Sequence, residues 1–418
     1  MKRLFSLYID AYRGLSPESW MLAAVMLLNR AGSMVLPFLG VYMVDHLHFT
    51  LSESGFVLSF FGIGAVIGSF LGGYITDRLG EFRVQSFSLF ASVVLFCLMP
   101  LFTTVAGLAA MIFVQSIISE IFRPANSVAI TKYARPENIT RAFSLNRMAI
   151  NLGFSIGPAL GGILSAISYR FLFYTNATAA LIAGVCYVYF FHRRHRIARL
   201  KKAHKTAGTD GTGTVQSPYR HTAFIVFCLL CSGFSICFFQ LLNTLPLFYK
   251  EAAKLSQQHI GILLGYSGLV VVLFEMLLVA LAERRLSMTQ TMVAGCLLCS
   301  ISYGMLGFTR QPAMLYLSVT LQSFGEILIL PFMATITAMS AGKRNKGAYM
   351  GMNGMAVAIS FIVSPLLGTY IAARYGFNTL WIATGLILVG AGIGYRYCIP
   401  WLLQGSTPAG PEKAPVNT

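Results

Sequence analysis

Long apolar runs separated by short polar clusters dominate the chain from residue 20 to residue 400. Twelve such runs can be delimited: 20–44, 55–76, 84–105, 107–131, 143–168, 171–191, 222–248, 258–281, 288–308, 313–339, 349–372 and 378–400. Each has about the 20 residues that a helix needs to cross roughly 30 Å of hydrocarbon. Strands of a membrane barrel alternate apolar and polar positions in short segments, so runs of this length exclude a barrel. A helix satisfies its own backbone hydrogen bonds in lipid, and it is the remaining spanning architecture. The pattern therefore predicts an all-α polytopic membrane protein with twelve transmembrane helices, here spans 1–12.

The runs are duplicated. Residues 146–162 align on 353–368 once a residue is trimmed, with Asn146/Asn353, Met148/Met355, Ala149/Ala356, Phe154/Phe361, Pro158/Pro365, Leu160/Leu367 and Gly161/Gly368 identical at an offset of 207. Pro124 and Pro331 keep that offset, and Asp77-Arg78 returns as Glu283-Arg284 at 206. Two pseudo-symmetric six-helix bundles follow, 17–191 and 222–403. Between them, 192–221 combines the basic run from His192 to Arg196 with a Gly/Thr stretch, a composition that cannot build a core and reads as a linker. Residues 1–16 suggest an interfacial N-terminal helix, and 404–418 a disordered tail. Ser16-Pro17-Glu18 has the form of an N-cap, a first-turn proline and a first-turn acid.

Composition agrees with a membrane chain. It is 56% hydrophobic and only 11% charged, against about a quarter charged for soluble domains. The net charge of +17 could suggest nucleic acid, but its placement points elsewhere. With the N-terminus in the cytoplasm, 23 of the 31 Lys and Arg fall on cytoplasmic ends and loops, and five on external loops. That bias is the positive-inside pattern, with both termini cytoplasmic and anionic headgroups as partner. The start is no cleavable signal peptide, because a full-length apolar run follows it without a small-residue cleavage site. Eight cysteines lie within the runs, including two C-L-L-C pairs. Neither pair has further ligands nearby, so small apolar packing is expected and no metal.

Gly73-Tyr-Ile-Thr-Asp77-Arg78-Leu-Gly80-Glu-Phe-Arg83 resembles the loop 2–3 signature of the major facilitator superfamily, with Glu81-Phe82 replacing two usual basic residues and Arg83 as a shifted substitute. Gly153-Phe-Ser-Ile-Gly157-Pro158-Ala-Leu-Gly161-Gly162 is similar to the helix 5 signature of that superfamily's drug/proton antiporters. The resemblance covers essentially 15–402. It implies the major facilitator fold in a bacterial inner membrane, spans 1, 4, 7 and 10 around a central cavity, and a charge latch at Gly73, Asp77, Arg78, Gly80 and Arg83 that holds an outward-facing state. Asp77 can pair with Arg78 or Arg83, or face the N-terminus of span 11. Gly64, Gly68 and Gly72 with the span 5 glycines allow close helix contact, static or sliding.

Charges in mid-membrane call for a function or a partner. On the cavity spans lie Arg30, Glu120, Arg123 and Glu326, with Asn29, Gln240 and Asn243. A carboxylate in a partly dry cavity can load a proton near neutral pH. Glu120 or Glu326 is the expected carrier, Glu275 a second candidate, and Arg30 and Arg123 are counter-charges. The competing reading is a permanent structural pair, Glu120–Arg123. Glu326 has no cation near it in sequence, and Arg147 is expected to anchor loop 4–5 or a headgroup. No nucleotide-binding loop is present, so a primary pump is not expected, and the resemblance implies a transporter rather than an enzyme. The helix 5 resemblance favours proton-coupled antiport exporting small amphipathic or hydrophobic organic compounds. Proton-coupled symport importing a peptide, sugar or other nutrient is the alternative, with peptides disfavoured because E-x-x-E-R is absent from span 1. A non-transporting sensor or scramblase on the same scaffold is a third class. Expected partners are a small-molecule substrate, protons and membrane lipids, with no nucleic acid, no cofactor beyond the proton gradient, and a monomeric assembly.

Overall fold

The computed structural model describes residues 12–32, 35–205, 217–342 and 345–404. The interfacial helix expected for 1–16, the centre of the linker and the tail fall largely outside them. Among the described residues there is no strand, and nine helices are long and apolar enough to cross a membrane. The last of these, Lys346–Gln404, bends at Gly376, whose φ of 83° is costly for any residue with a Cβ. Its two limbs form spans 11 and 12. Span 1 is Pro17–Ala31 followed by Val35–Val41 and a π-helical turn at Tyr42–His46. Span 5 is Ile139–Ile167, and with span 1 it completes the twelve passes.

The other spans are Leu51–Leu79, Glu81–Leu98, Val105–Tyr133 and Tyr169–Lys205 in the first half (spans 2, 3, 4 and 6). In the second half they are Thr222–Asn243, continued as Leu245–Glu251, then Gln257–Arg285, Met288–Leu306 and Pro312–Ser340 (spans 7–10). Start signals written in the sequence fix several ends. Ser16 caps span 1 by accepting from the Ser19 amide. Thr50 and Glu53 form a reciprocal capping box on span 2, as Ser287 and Gln290 do on span 9. The helix of span 6 runs on to Lys205, so the first part of the expected linker is helical.

Small residues set how closely the spans approach. A methyl group at Gly68 would lie 2.6 Å from the Ile117 carbonyl oxygen, and one at Gly72 2.8 Å from the Ile121 Cα. With Gly64, these residues recur every four positions and bring span 2 against the backbone of span 4. Spans 7–12 share one continuous core around Trp381, Tyr303, Tyr395 and Phe227. Across the halves, Ala23, Leu145 and Ala149 of spans 1 and 5 pack on Met276 and Ala280 of span 8.

Candidate functional site

The polar contacts that join the two halves cluster at the end carrying the Lys/Arg-rich loops. Span 2 crosses span 11 there through glycine: a methyl at Gly73 would meet the Gly347 carbonyl oxygen at 2.4 Å, and one at Gly351 the Ser69 carbonyl oxygen at 2.8 Å. Because no side chains intervene, Asp77 at the end of span 2 reaches the first turn of span 11. Its carboxylate accepts from the Gly347 amide at 2.6 Å and the Ala348 amide at 2.7 Å, two donors left free by the helix start. Of the three partners open to Asp77 in sequence, this is the one it takes. Arg78 instead lies over the Tyr74 ring at 4.3 Å, and Arg83 is exposed. Gly80, with φ of 83°, turns the chain from span 2 into span 3. Glu81, which stands where the resemblance expected a basic residue, is buried and pairs with Lys132 of span 4.

The duplicated partner of this contact has the same geometry and different chemistry. Glu283 repeats Asp77, and Arg141 occupies the position repeating Ala348. Arg141 Nε donates to Glu283 Oε2 at 2.9 Å, so an ion pair ties spans 5 and 8 where backbone amides tie spans 11 and 2.

Deeper in, Arg147 stands between two carboxylates. Its Nη1 is 2.6 Å from Glu275 Oε2 on span 8, and its Nη2 is 3.0 Å from Glu326 Oε1 on span 10. The Glu275 side chain is fully buried and that of Glu326 is 5% exposed. This corrects two expectations: Glu326 does have a cation, and Arg147 anchors neither loop nor headgroup. Both errors have one cause, since the partner comes from a span nearly 180 residues away in sequence. The cluster carries one excess negative charge when all three groups are ionised.

A second cluster lies wholly in the first half. Arg123 Nη1 is 3.1 Å from Glu120 Oε2, one helical turn apart on span 4. Arg30 lies on span 1 of the same half. Its guanidinium lies 5.6 Å from the centre of the Phe154 ring on span 5, and its Nε is buried without a hydrogen-bond partner. Gly153 makes that approach possible, because a methyl there would fall 2.6 Å from the Arg30 Cβ; Gly157 faces the Ala31 carbonyl. Gly161 is buried, while the side chains of Pro158 and Gly162 lie outside the described set. Of the expected cavity residues in the polar class, Asn29 is half-buried beside Arg30. Gln240 is buried and donates to the Ser364 carbonyl, and Asn243 donates to the Phe239 carbonyl of its own helix. These bonds use Gln240 and Asn243 within the second half.

None of the six interior charges is duplicated. At the repeat offsets, Glu120 faces Ile327, Arg123 faces Leu330, Arg147 faces Gly354, Glu326 faces Ser119, Glu275 faces Ser69, and Arg30 faces Ile236 or Cys237. The glycine and proline framework is shared by both halves, whereas the charges differ between them. A feature needed only to fold either bundle would have no reason to be confined to one.

A family model described as the Major Facilitator Superfamily matches residues 21–310 and 241–418. The chain is 26% identical over 370 residues to an uncharacterized MFS-type transporter, YttB of Bacillus subtilis, covering 87% of this chain and 90% of that one. It is 23% identical over 334 residues to multidrug resistance protein MdtH of Yersinia pestis, covering 78% and 79%. Among solved structures it resembles a bacterial homologue of the iron transporter ferroportin in an outward-facing state, with a TM-score of 0.74, 15% identity, and 91% and 99% coverage.

Proposed function

The chain belongs to the Major Facilitator Superfamily, and from that premise we propose that it is a proton-coupled antiporter exporting small amphipathic or hydrophobic organic compounds by alternating access. It is a multi-pass membrane transporter and not an enzyme. The observation that carries the proton reading is the Arg147–Glu275–Glu326 cluster. Two carboxylates share one guanidinium in a dry interior, where an excess charge is costly and a proton is the smallest ion that removes it. The same cluster fastens spans 8 and 10 of one half to span 5 of the other.

Coupling follows from that double role. A proton arriving from the outer side neutralises one carboxylate, weakens its hold on Arg147, and so loosens the contacts closing the basic end. Its Lys/Arg excess supports reading that end as the cytoplasmic one, with both termini on the cytoplasmic side of a bacterial inner membrane. Substrate then binds from the cytoplasm, the proton leaves, and the charge cluster closes again behind the substrate. Proton and substrate favour opposite facing states, and that difference drives exchange. Asp77 and the Arg141–Glu283 pair set how firmly the cytoplasmic end closes. Export is supported by the span 5 glycine motif and by the similarity to a relative named for multidrug resistance.

The direct test is transport in proteoliposomes with an imposed pH gradient, screened over dyes and nutrients. Antiport predicts that substrate moves against the proton flow. Accumulation on the side the protons move to would replace antiport with symport.

A further inference from the structure

We propose that the transported compound is an organic anion, whose charged group is received by Arg30 and Arg123 in the first half. This rests on the reading that the interior charges lie on the transport path, and it names the class of compound that path takes.

The first half holds two guanidiniums, Arg30 and Arg123, and one carboxylate, Glu120, within its spans, one excess positive charge. Glu120 accepts from Arg123, leaving Arg30 with an aromatic face and an orphaned Nε–H in the interior. Among the described residues Arg30 forms no ion pair. A membrane-embedded guanidinium whose Nε–H is buried and unbonded, beside a carboxylate already engaged by another arginine, is an arrangement that folding alone disfavours, because its desolvation is incompletely compensated. Guanidinium also presents its donors in a planar fork suited to a carboxylate, sulfonate or phosphate group. Arg123 keeps about a third of its side chain open (35%), so the pair with Glu120 does not close the site.

The other interior cluster cannot supply this function. Arg147 is saturated by two carboxylates, and the excess charge there is negative. A cationic substrate would be repelled by Arg30 and Arg123 and would have to compete with Arg147 for Glu275 or Glu326.

The repeat indicates where the rest of the molecule goes. Phe154 of span 5 and Phe361 of span 11 are equivalent residues, each about half exposed. In the first half Phe154 meets Arg30 of span 1; in the second, Phe361 meets Phe239 of span 7, with ring centres 3.8 Å apart. The neighbour of this repeated phenylalanine is thus cationic in one half and aromatic in the other. A compound with an anionic head and an apolar or aromatic body satisfies both.

Equilibrium binding to the purified full-length protein in lipid nanodiscs tests this, using two xanthene dyes of similar size. Fluorescein is anionic at mildly alkaline pH, and rhodamine 6G is cationic. Fluorescein is expected to bind at least about tenfold more tightly, and Arg30→Gln should remove about tenfold of that affinity while leaving rhodamine 6G unchanged. Arg30→Lys, which keeps the charge and guards against misfolding as an explanation, should preserve the preference. Equal or tighter binding of rhodamine 6G, absence of saturable fluorescein binding, or an Arg30→Gln protein that binds fluorescein normally would overturn the proposal. Binding is measured without a gradient, so a retained anion preference with no proton-driven flux would sink antiport alone. The reverse pattern would sink only the anion site.

Discussion

Arg147 Nη2 lies 3.0 Å from Glu326 Oε1, joining span 5 of the first half to span 10 of the second inside a site where the Glu326 side chain is 5% exposed. Arg147 also holds Glu275, so its removal should be the most damaging single change among the interior charges. Arg147→Ala leaves two buried carboxylates without a cation and is expected to cost about 3–5 kcal/mol of stability. Adding Glu275→Gln and Glu326→Gln to that variant should recover much of the loss, because the uncompensated charges go with it. Thermal denaturation of the single and triple variants checks both expectations; a triple variant no more stable than the single would contradict them.

The Asp77 contact predicts a shift in facing state. Asp77→Asn weakens the two bonds to the Gly347 and Ala348 amides by removing the charge, worth about 1–3 kcal/mol in such pairs. The ends of spans 2 and 11 on the Lys/Arg-rich side should then separate more often, seen as a longer-distance population between spin labels on those ends. Arg141→Ala should act in the same direction at spans 5 and 8.

Gly73 tests the same gate by shape alone. A methyl there would sit 2.4 Å from the Gly347 carbonyl oxygen and 3.0 Å from the Gly351 Cα. Gly73→Val should therefore disfavour closure with no change of charge. Cysteine pairs placed across spans 2 and 11 should cross-link more slowly in that variant, and unchanged cross-linking would show that the crossing is not this tight.

His221, just before span 7, shares a hydrogen bond of 2.9 Å with the hydroxyl of Tyr349, the residue that follows the pair of amides Asp77 holds. Burial lowers its pKa below the ordinary histidine value. The neutral ring is thus the form the folded state favours. Its contribution is complete above the unfolded value of about 6.5 and is lost as pH falls below it toward the folded value. Amide protection in the first turn of span 11, corrected for the intrinsic pH dependence of exchange, should fall across that window. His221→Gln should flatten the dependence.

The sequence carried the architecture because apolar length and internal repetition are local, countable properties. Ser16 caps where its pattern says, and Gly64, Gly68 and Gly72 marked a close helix contact whose partner, span 4, only the fold supplied. Residue types also placed Asp77 at a helix end with a partner available. What one-dimensional reading could not supply was partnership across the halves. Arg147 lies near a loop in sequence, and only the fold brings it to Glu275 and Glu326. One signal was present: Arg147 stands where the repeat has Gly354, a charge in place of the smallest residue. Gln240 shows the opposite error, a polar residue on a cavity span that the fold ties to the Ser364 carbonyl.

The most direct test of the central claim is substrate flux in proteoliposomes carrying Glu275→Gln, Glu326→Gln or both, compared with and without a pH gradient. The doubly substituted protein should still exchange substrate down its own concentration gradient but lose acceleration by the proton gradient. Proton-driven flux that survives in that protein at the unsubstituted rate would contradict the assignment of the Arg147 cluster as the proton site.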